Sequence, residues 1–231
     1  MKNKASRDIL VCGYTNFPEK PSSEKFQFVP VNIILDPVSG TITGAHTPIY
    51  NPLIDAELER IFLGNSIYAG MDVYVKQIRS TMHFPSTDLL IEALYDLYDR
   101  FLRALAQYWT SIRIPKVGPE RLRFPGVHYD YFCGTTHLSE RLNSVVSDEM
   151  SVFAKVNAAD KKIEGCWVSK FSAFPDDHLC DLFCGYALNE DPQRMIDQIQ
   201  TYYRITASRA MINLFMDLVN NCLEYYSKNT K

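Results

Sequence analysis

The sequence predicts an α+β protein built from two β-β-β-α-α-α repeats, packed as an intramolecular pseudo-twofold dimer. Three observations carry this. First, the chain matches itself without a gap at an offset of 121 residues: Ile9–Leu105 against Asp130–Tyr226 gives 18 identities in 97 aligned positions, where ordinary composition gives roughly 6. The matches include Cys12-Gly13/Cys133-Gly134, Phe62/Phe183, Gly64/Gly185, Gln77-Ile78/Gln198-Ile199 and Asp96-Leu97/Asp217-Leu218. Second, each half passes from strand-like to helix-like periodicity at the same place. Third, the last helix of each half carries two apolar stripes, so it needs cover on two sides. One stripe should pack on its own sheet and the other on the opposite copy.

The elements follow in order. Ile9–Tyr14 is a short apolar run stopped by Gly13, which reads as a strand. A polar loop covers Asn16–Glu24. Phe28–Leu35 alternates and ends at Asp36-Pro37-Val38-Ser39-Gly40, whose residues suit a turn, and Thr41–His46 returns as a hairpin partner. From Leu53 the period becomes helical, with Ile54, Leu58, Ile61 and Phe62 on one face and Gly64 at the end. Asp72–Met82 is a second helix. Pro85-Ser86-Thr87-Asp88 supplies the stop and N-cap for a third, reaching about Tyr108. Its stripes are Leu90, Ala93, Leu94, Leu97, Phe101 and Leu105, and Ile91, Tyr95, Tyr98 and Leu102. The second half repeats the series: a strand at Tyr129–Cys133, a hairpin at Val152–Val168 turning at Ala158–Lys161, and helices near Asp176–Gly185, Pro192–Tyr203 and Thr206–Tyr226. The expected units are therefore 8–105 and 129–227, joined by a linker at 106–128. In that linker Pro115, Pro119 and Pro125 forbid a continuous helix. Its excess of basic residues, Arg113, Lys116, Arg121 and Arg123 against Glu120, reads as a surface strap or as an anion-binding strip.

Net charge is −3 and pI about 6.0, which excludes a general field for nucleic acid or anionic membrane. No apolar run approaches the roughly 20 residues of a membrane span. Six cysteines without a C-x-x-C pair, behind an N-terminus that lacks a signal-peptide core, point to the cytoplasm rather than to a disulfide framework.

Gly13-Tyr14-Thr15-Asn16-Phe17-Pro18, Gly40-Thr41-Ile42, Phe62-Leu63-Gly64, His83, Ala93-Leu94 and Arg100-Phe101 stand in an order that resembles the bacterial domain-of-unknown-function family 3870. The resemblance covers about Ile9–Leu105. The second half keeps Cys133-Gly134, Gly165, Phe183 and Gly185, but Arg204 replaces His83. It implies a fold and a duplication, and no activity. A looser topological likeness is to the iron–sulfur cluster scaffold fold, where cysteines hold the cluster. Only Cys166 and Cys184 fall near such places, so no metal site and no cofactor are expected, and a degenerate cluster scaffold stands as the remote alternative.

Several residues qualify as candidates. Cys12 and Cys133, read as strand ends, each open a C-G-x-T turn. There Gly13 and Gly134 would let a ligand approach the backbone, while Tyr14, Thr15 and Thr136 offer polar contacts. The competing reading is a small buried cysteine beside a strand-exit glycine. Cys180 and Cys184 have one-turn spacing, with His178 nearby, and read as core. His83, ahead of the long helix, is the best single acid or base, or else a solvated cap. Walker, G-x-G-x-x-G, H-E-x-x-H and G-x-S-x-G motifs are absent from the chain. The expectation is a non-catalytic accessory protein, monomer or homo-oligomer, that binds a small anionic molecule or a protein partner. Its site should favour the first copy, which keeps Tyr14, Pro18 and His83. The opposing expectation is an enzyme working between the copies, with Cys12 or Cys133 as nucleophile and His83 as base.

Overall fold

The computed structural model describes residues 8–16, 28–48, 52–108, 114–124, 129–137, 149–168, 176–203 and 205–229. The expected loop at 17–24, together with Trp109, Ile112, Arg113, Pro125 and Arg204, lies outside them. The fold is α+β, with six α-helices and two sheets among the described residues. It divides into two compact units, Met1–Ser80 with Pro85–Gly126, and Thr81–Phe84 with Val127–Lys231.

In the first unit β1 (Ile9–Asn16), β2 (Phe28–Leu35) and β3 (Ile42–His46) form an antiparallel sheet in that order. β2 alternates as a half-buried strand must: Val29, Val31, Ile33 and Leu35 are buried and Ile34 is exposed. Its turn is held by the Asp36 carboxylate, which accepts from the Val38 N–H and the Ser39 hydroxyl. Gly40 closes it at φ 73°, a left-handed position that favours glycine. Helices α1 (Pro52–Phe62) and α2 (Met71–Thr81) follow, with a 3₁₀ turn at Ile67–Ala69 between them. Helix α3 (Thr87–Tyr108) then crosses β1 and β2. Its buried residues include Leu90, Ala93, Leu94, Leu97, Phe101 and Leu105, the first stripe read from the sequence. The second stripe is uneven: Ile91 is buried, while Tyr95 is 43% and Leu102 38% exposed. The Tyr95 hydroxyl donates instead to Asp72 at 2.8 Å.

The second unit has β5 (Tyr129–His137), β6 (Glu149–Asn157) and β7 (Ile163–Val168), then α4 (Asp176–Phe183), α5 (Pro192–Tyr202) and α6 (Ile205–Asn229). Its sheet has a fourth strand that the sequence did not suggest. β4 (Met82–His83), a two-residue segment after α2, pairs in parallel with Tyr131 and Phe132, giving the order β4-β5-β6-β7. Two residues carry no periodicity, so only their partner strand reveals them. The expected boundaries shift accordingly: residues 81–84 belong to the second unit, and residues 106–108 complete α3.

The internal hydrogen bonding of the two units corresponds at an offset of 121. Ile9 pairs with Leu35 and Asp130 with Val156; the register shifts at Ile34/Leu35 and at Lys155/Val156. The Gly64 N–H reaches the Ile42 carbonyl, and the Gly185 N–H the Ile163 carbonyl. Lys161, at the place of Gly40, adopts φ 60°. No helix among the described residues is long and apolar enough to cross a membrane.

Cys12 and Cys133 are not strand ends, and the C-G-x-T segments are not turns. Both strands run through the glycine, Cys12 opposite Asn32 and Cys133 opposite Phe153. The glycines are required where a helix crosses. A Cβ on Gly13 would lie 2.2 Å from the Ala93 carbonyl oxygen of α3, and one on Gly134 would lie 2.7 Å from the Leu218 nitrogen of α6. The backbone that approaches these glycines is the protein's own.

Candidate functional site

Two features of the second unit stand out, a buried polar cluster and a cavity. The cluster begins with Asp130, 6% exposed in the apolar run that opens β5. Strand alternation puts it on the face of Phe132 and Gly134, toward α6. Both carboxylate oxygens are engaged: Oδ1 lies 3.1 Å from His83 Nε2, and Oδ2 accepts from the Tyr226 hydroxyl at 2.6 Å. The His83 ring stacks on Tyr225 with centroids 3.8 Å apart and lies against Phe132. The Lys161 ammonium sits 3.6 Å from the centre of the Tyr226 ring. Burial, and then the Asp130 carboxylate, push the Cys222 thiol up. Burial and the Asp130 hydrogen bond likewise keep the Tyr226 phenol protonated far above its ordinary range. At the corresponding places in the first unit stand Ile9, Phe101 and Leu105. One unit therefore carries a satisfied ionisable network where the other is apolar, and a buried carboxylate is tolerated only when paired and hydrogen-bonded.

The arrangement orients an imidazole by a carboxylate, as a general base requires. It does not join that base to a nucleophile. Among the described residues the only hydrogen-bond partner of the His83 side chain is Asp130. Cys133 points to the other side of β5 from Asp130, and its thiol approaches the Gly134 carbonyl at 3.6 Å. Cys12 is exposed on β1 in the first unit. His83 is neither a helix cap nor a solvated side chain. It fastens β4 to β5.

The second feature is a cavity of about 510 Å³ between the end of α4 and α5, within the 300–1,000 Å³ typical of small-molecule sites. Met195 and Tyr186, both buried, form its floor. Asp181, Cys184, Glu190, Arg194, Gln198, Tyr202 and Tyr203 make up most of its walls. Burial first, then Cys180 and Asp181, raise the Cys184 thiol above its ordinary value. The Cys166 thiol is raised further, chiefly by its hydrogen bond with Cys180 and by burial. Such thiols are poor nucleophiles. No group of three His, Cys, Asp or Glu side chains among the described residues is placed to hold a metal ion.

In the first unit the corresponding space is filled. Tyr74, at the place of Met195, is fully buried, stacks on Phe62 at 4.5 Å and donates its hydroxyl to the Ser66 carbonyl. The segment after α3 closes over it: Phe124 packs edge-on against Tyr74. The buried Asn65 side chain accepts from the Arg123 N–H and donates to the Arg123 carbonyl. Arg121 and Arg123 are exposed, and Asn65 ties their segment down as a strap.

Tyr14 and Thr15 meet α3 on the surface of the first unit. The Tyr14 N–H donates to Asp96, the Thr15 hydroxyl donates to Glu92, and the Arg100 guanidinium lies 4.5 Å from the centre of the Tyr14 ring. Thr136 is buried in β5, and the neighbouring Thr135 N–H donates to Asp217 as Tyr14 does to Asp96. These contacts tie strand to helix. Sequence reasoning missed the pairing of Asp130 with Tyr226 and, apart from Cys184, the cavity wall; Cys184 reads as core in the sequence but is exposed. The one visible signal was a carboxylate inside the apolar run Tyr129–Cys133. Compared with known proteins, the chain matches no family model, no curated protein and no solved structure.

Proposed function

We propose that this protein is a non-catalytic small-ligand-binding module, and that the ligand seats in the cavity beside α5. The observation that carries this reading is the contrast between corresponding places: Tyr74 and the strap fill the first, whereas Met195 leaves the second open. The volume of the cavity falls in the range of small-molecule sites, and it brings charged and aromatic side chains together. We further read the chain as a tandem duplication whose second copy diverged toward binding, supported by 18 identities and by hydrogen-bond registers recurring at the same offset. The site then lies in the second copy rather than the first. Duplication leaves one copy free to keep a solid core while the other loses a buried aromatic.

Cys184 reports on occupancy, because it is exposed on the cavity wall. The protein is treated with iodoacetamide in the presence of a panel of amines, carboxylic acids, amino acids, nucleosides and sugar phosphates, and Cys184 labelling is read by peptide mass spectrometry. At least one compound should slow labelling of Cys184 without slowing that of the exposed Cys12. Met195→Tyr, which installs the first unit's residue, should remove the protection while the circular dichroism spectrum is retained. If no compound protects Cys184, or if protection survives Met195→Tyr, the reading is wrong.

A further inference from the structure

Resting on that reading, we propose that the cavity is selective for a small organic cation, an ammonium group carried on an apolar body. The charges of the wall are decisive. Arg194 Nη1 lies 3.6 Å from Glu190 Oε2, four residues earlier and ahead of α5, so the cationic side chain of the wall already faces a carboxylate. Asp181 has no hydrogen-bond or ion-pair partner among the described residues. Its charge is felt across the wall, being one of the three causes that raise the Cys184 thiol. The side chains that line the cavity therefore carry one more negative charge than positive. Tyr186 and Tyr203, which line the cavity, add no charge, since a phenol is neutral at neutral pH. A neutral aromatic ring presents a negative face, which attracts ammonium groups. Tyr202, 72% exposed at the rim, offers one more. The apolar part of the ligand has the buried Met195 as its floor. An anion would face two carboxylates, Asp181 and Glu190, against the single guanidinium of Arg194. The small anionic ligand suggested by the sequence is thus disfavoured at this cavity.

Three probes of one shape separate charge from fit: 2-phenylethylammonium, 2-phenylethanol and 3-phenylpropionate. Each is titrated at low salt, with Cys184 protection from iodoacetamide as the readout. The amine should bind at least tenfold more tightly than the alcohol, and the carboxylate more weakly than either. Asp181→Asn should bring the amine down to the level of the alcohol and leave the alcohol unchanged. The proposal is overturned if the carboxylate binds best or if Asp181→Asn leaves the amine's advantage intact. A panel compound that protects Cys184 without bearing positive charge, while the amine does not, overturns the cation and leaves the binding reading standing. No protection by any compound removes both.

Discussion

Replacing Asp130 by leucine removes the acceptor for two half-buried donors, His83 Nε2 and the Tyr226 hydroxyl, which lie 3.1 and 2.6 Å from its oxygens. Leaving a buried polar group unpaired costs about 1–3 kcal/mol. The His83 and Asp130 side chains are 12% and 9% exposed, so water offers little relief. Two such losses put Asp130→Leu at about 3–5 kcal/mol, the range for breaking a buried ion pair. The triple variant His83→Phe, Asp130→Leu, Tyr226→Phe removes the acceptor together with both of its donors while keeping the rings that stack on Tyr225 and Phe132. It should lie within about 1.5 kcal/mol of the parent, because apolar replacement of both partners at similar shape is nearly neutral. Urea unfolding followed by near-ultraviolet circular dichroism measures both, and the coupling follows from the cycle of single and combined variants. Amide hydrogen exchange at Tyr131 and Phe132, where β4 pairs with β5, should accelerate in the single variant and recover in the triple. A triple variant as unstable as Asp130→Leu would refute the reasoning, since the loss would then come from packing and not from orphaned donors.

The two crossing glycines should rank by approach. Gly13→Ala, with its Cβ 2.2 Å from a helix carbonyl, should cost about 3 kcal/mol, and Gly134→Ala, at 2.7 Å, about 2 kcal/mol, as overpacking does; a reversed order in urea midpoints would contradict the packing account. Gly40→Ala meets both a left-handed φ and the Tyr68 ring at 2.3 Å, so a loss of about 2 kcal/mol is expected. At Asp96 burial raises the carboxyl, but the bonds from Arg100 and the Tyr14 N–H outweigh it and hold the group below its ordinary value. A carboxylate depressed by folding stabilises above its unfolded pKa, about 3.9, and that contribution is lost as pH falls toward the folded value. Asp96→Asn should therefore flatten the acid-side fall in stability, and parallel curves for variant and parent below pH 4 would remove Asp96 from that role.

The reading of α3 shows how far linear pattern reaches. Leu90, Leu94, Leu97 and Phe101 were legible because helical spacing alone puts them on one side, and all are buried. Tyr95 and Leu102 share the helical spacing of Ile91 but not its burial, since spacing defines a face without saying what covers it. Gly13 was legible as special yet misread. A glycine inside an apolar run looks like a strand exit, and only the path of α3 shows that the missing Cβ makes room for a helix backbone. His83 was picked out by type and misplaced by context, because its partner Asp130 stands 47 positions away.

The amino-acid order alone determined the α+β class, the strands and helices other than β4, and the first buried stripe of α3, since each is written in spacings of two to four residues. Tertiary structure alone decided that β4 joins β5, that Asp130 gathers His83 and Tyr226, and that Met195 leaves open a space that Tyr74 fills in the first unit. Each of those outcomes depends on groups brought together across tens of residues, and on the shape left between them, which no local spacing records.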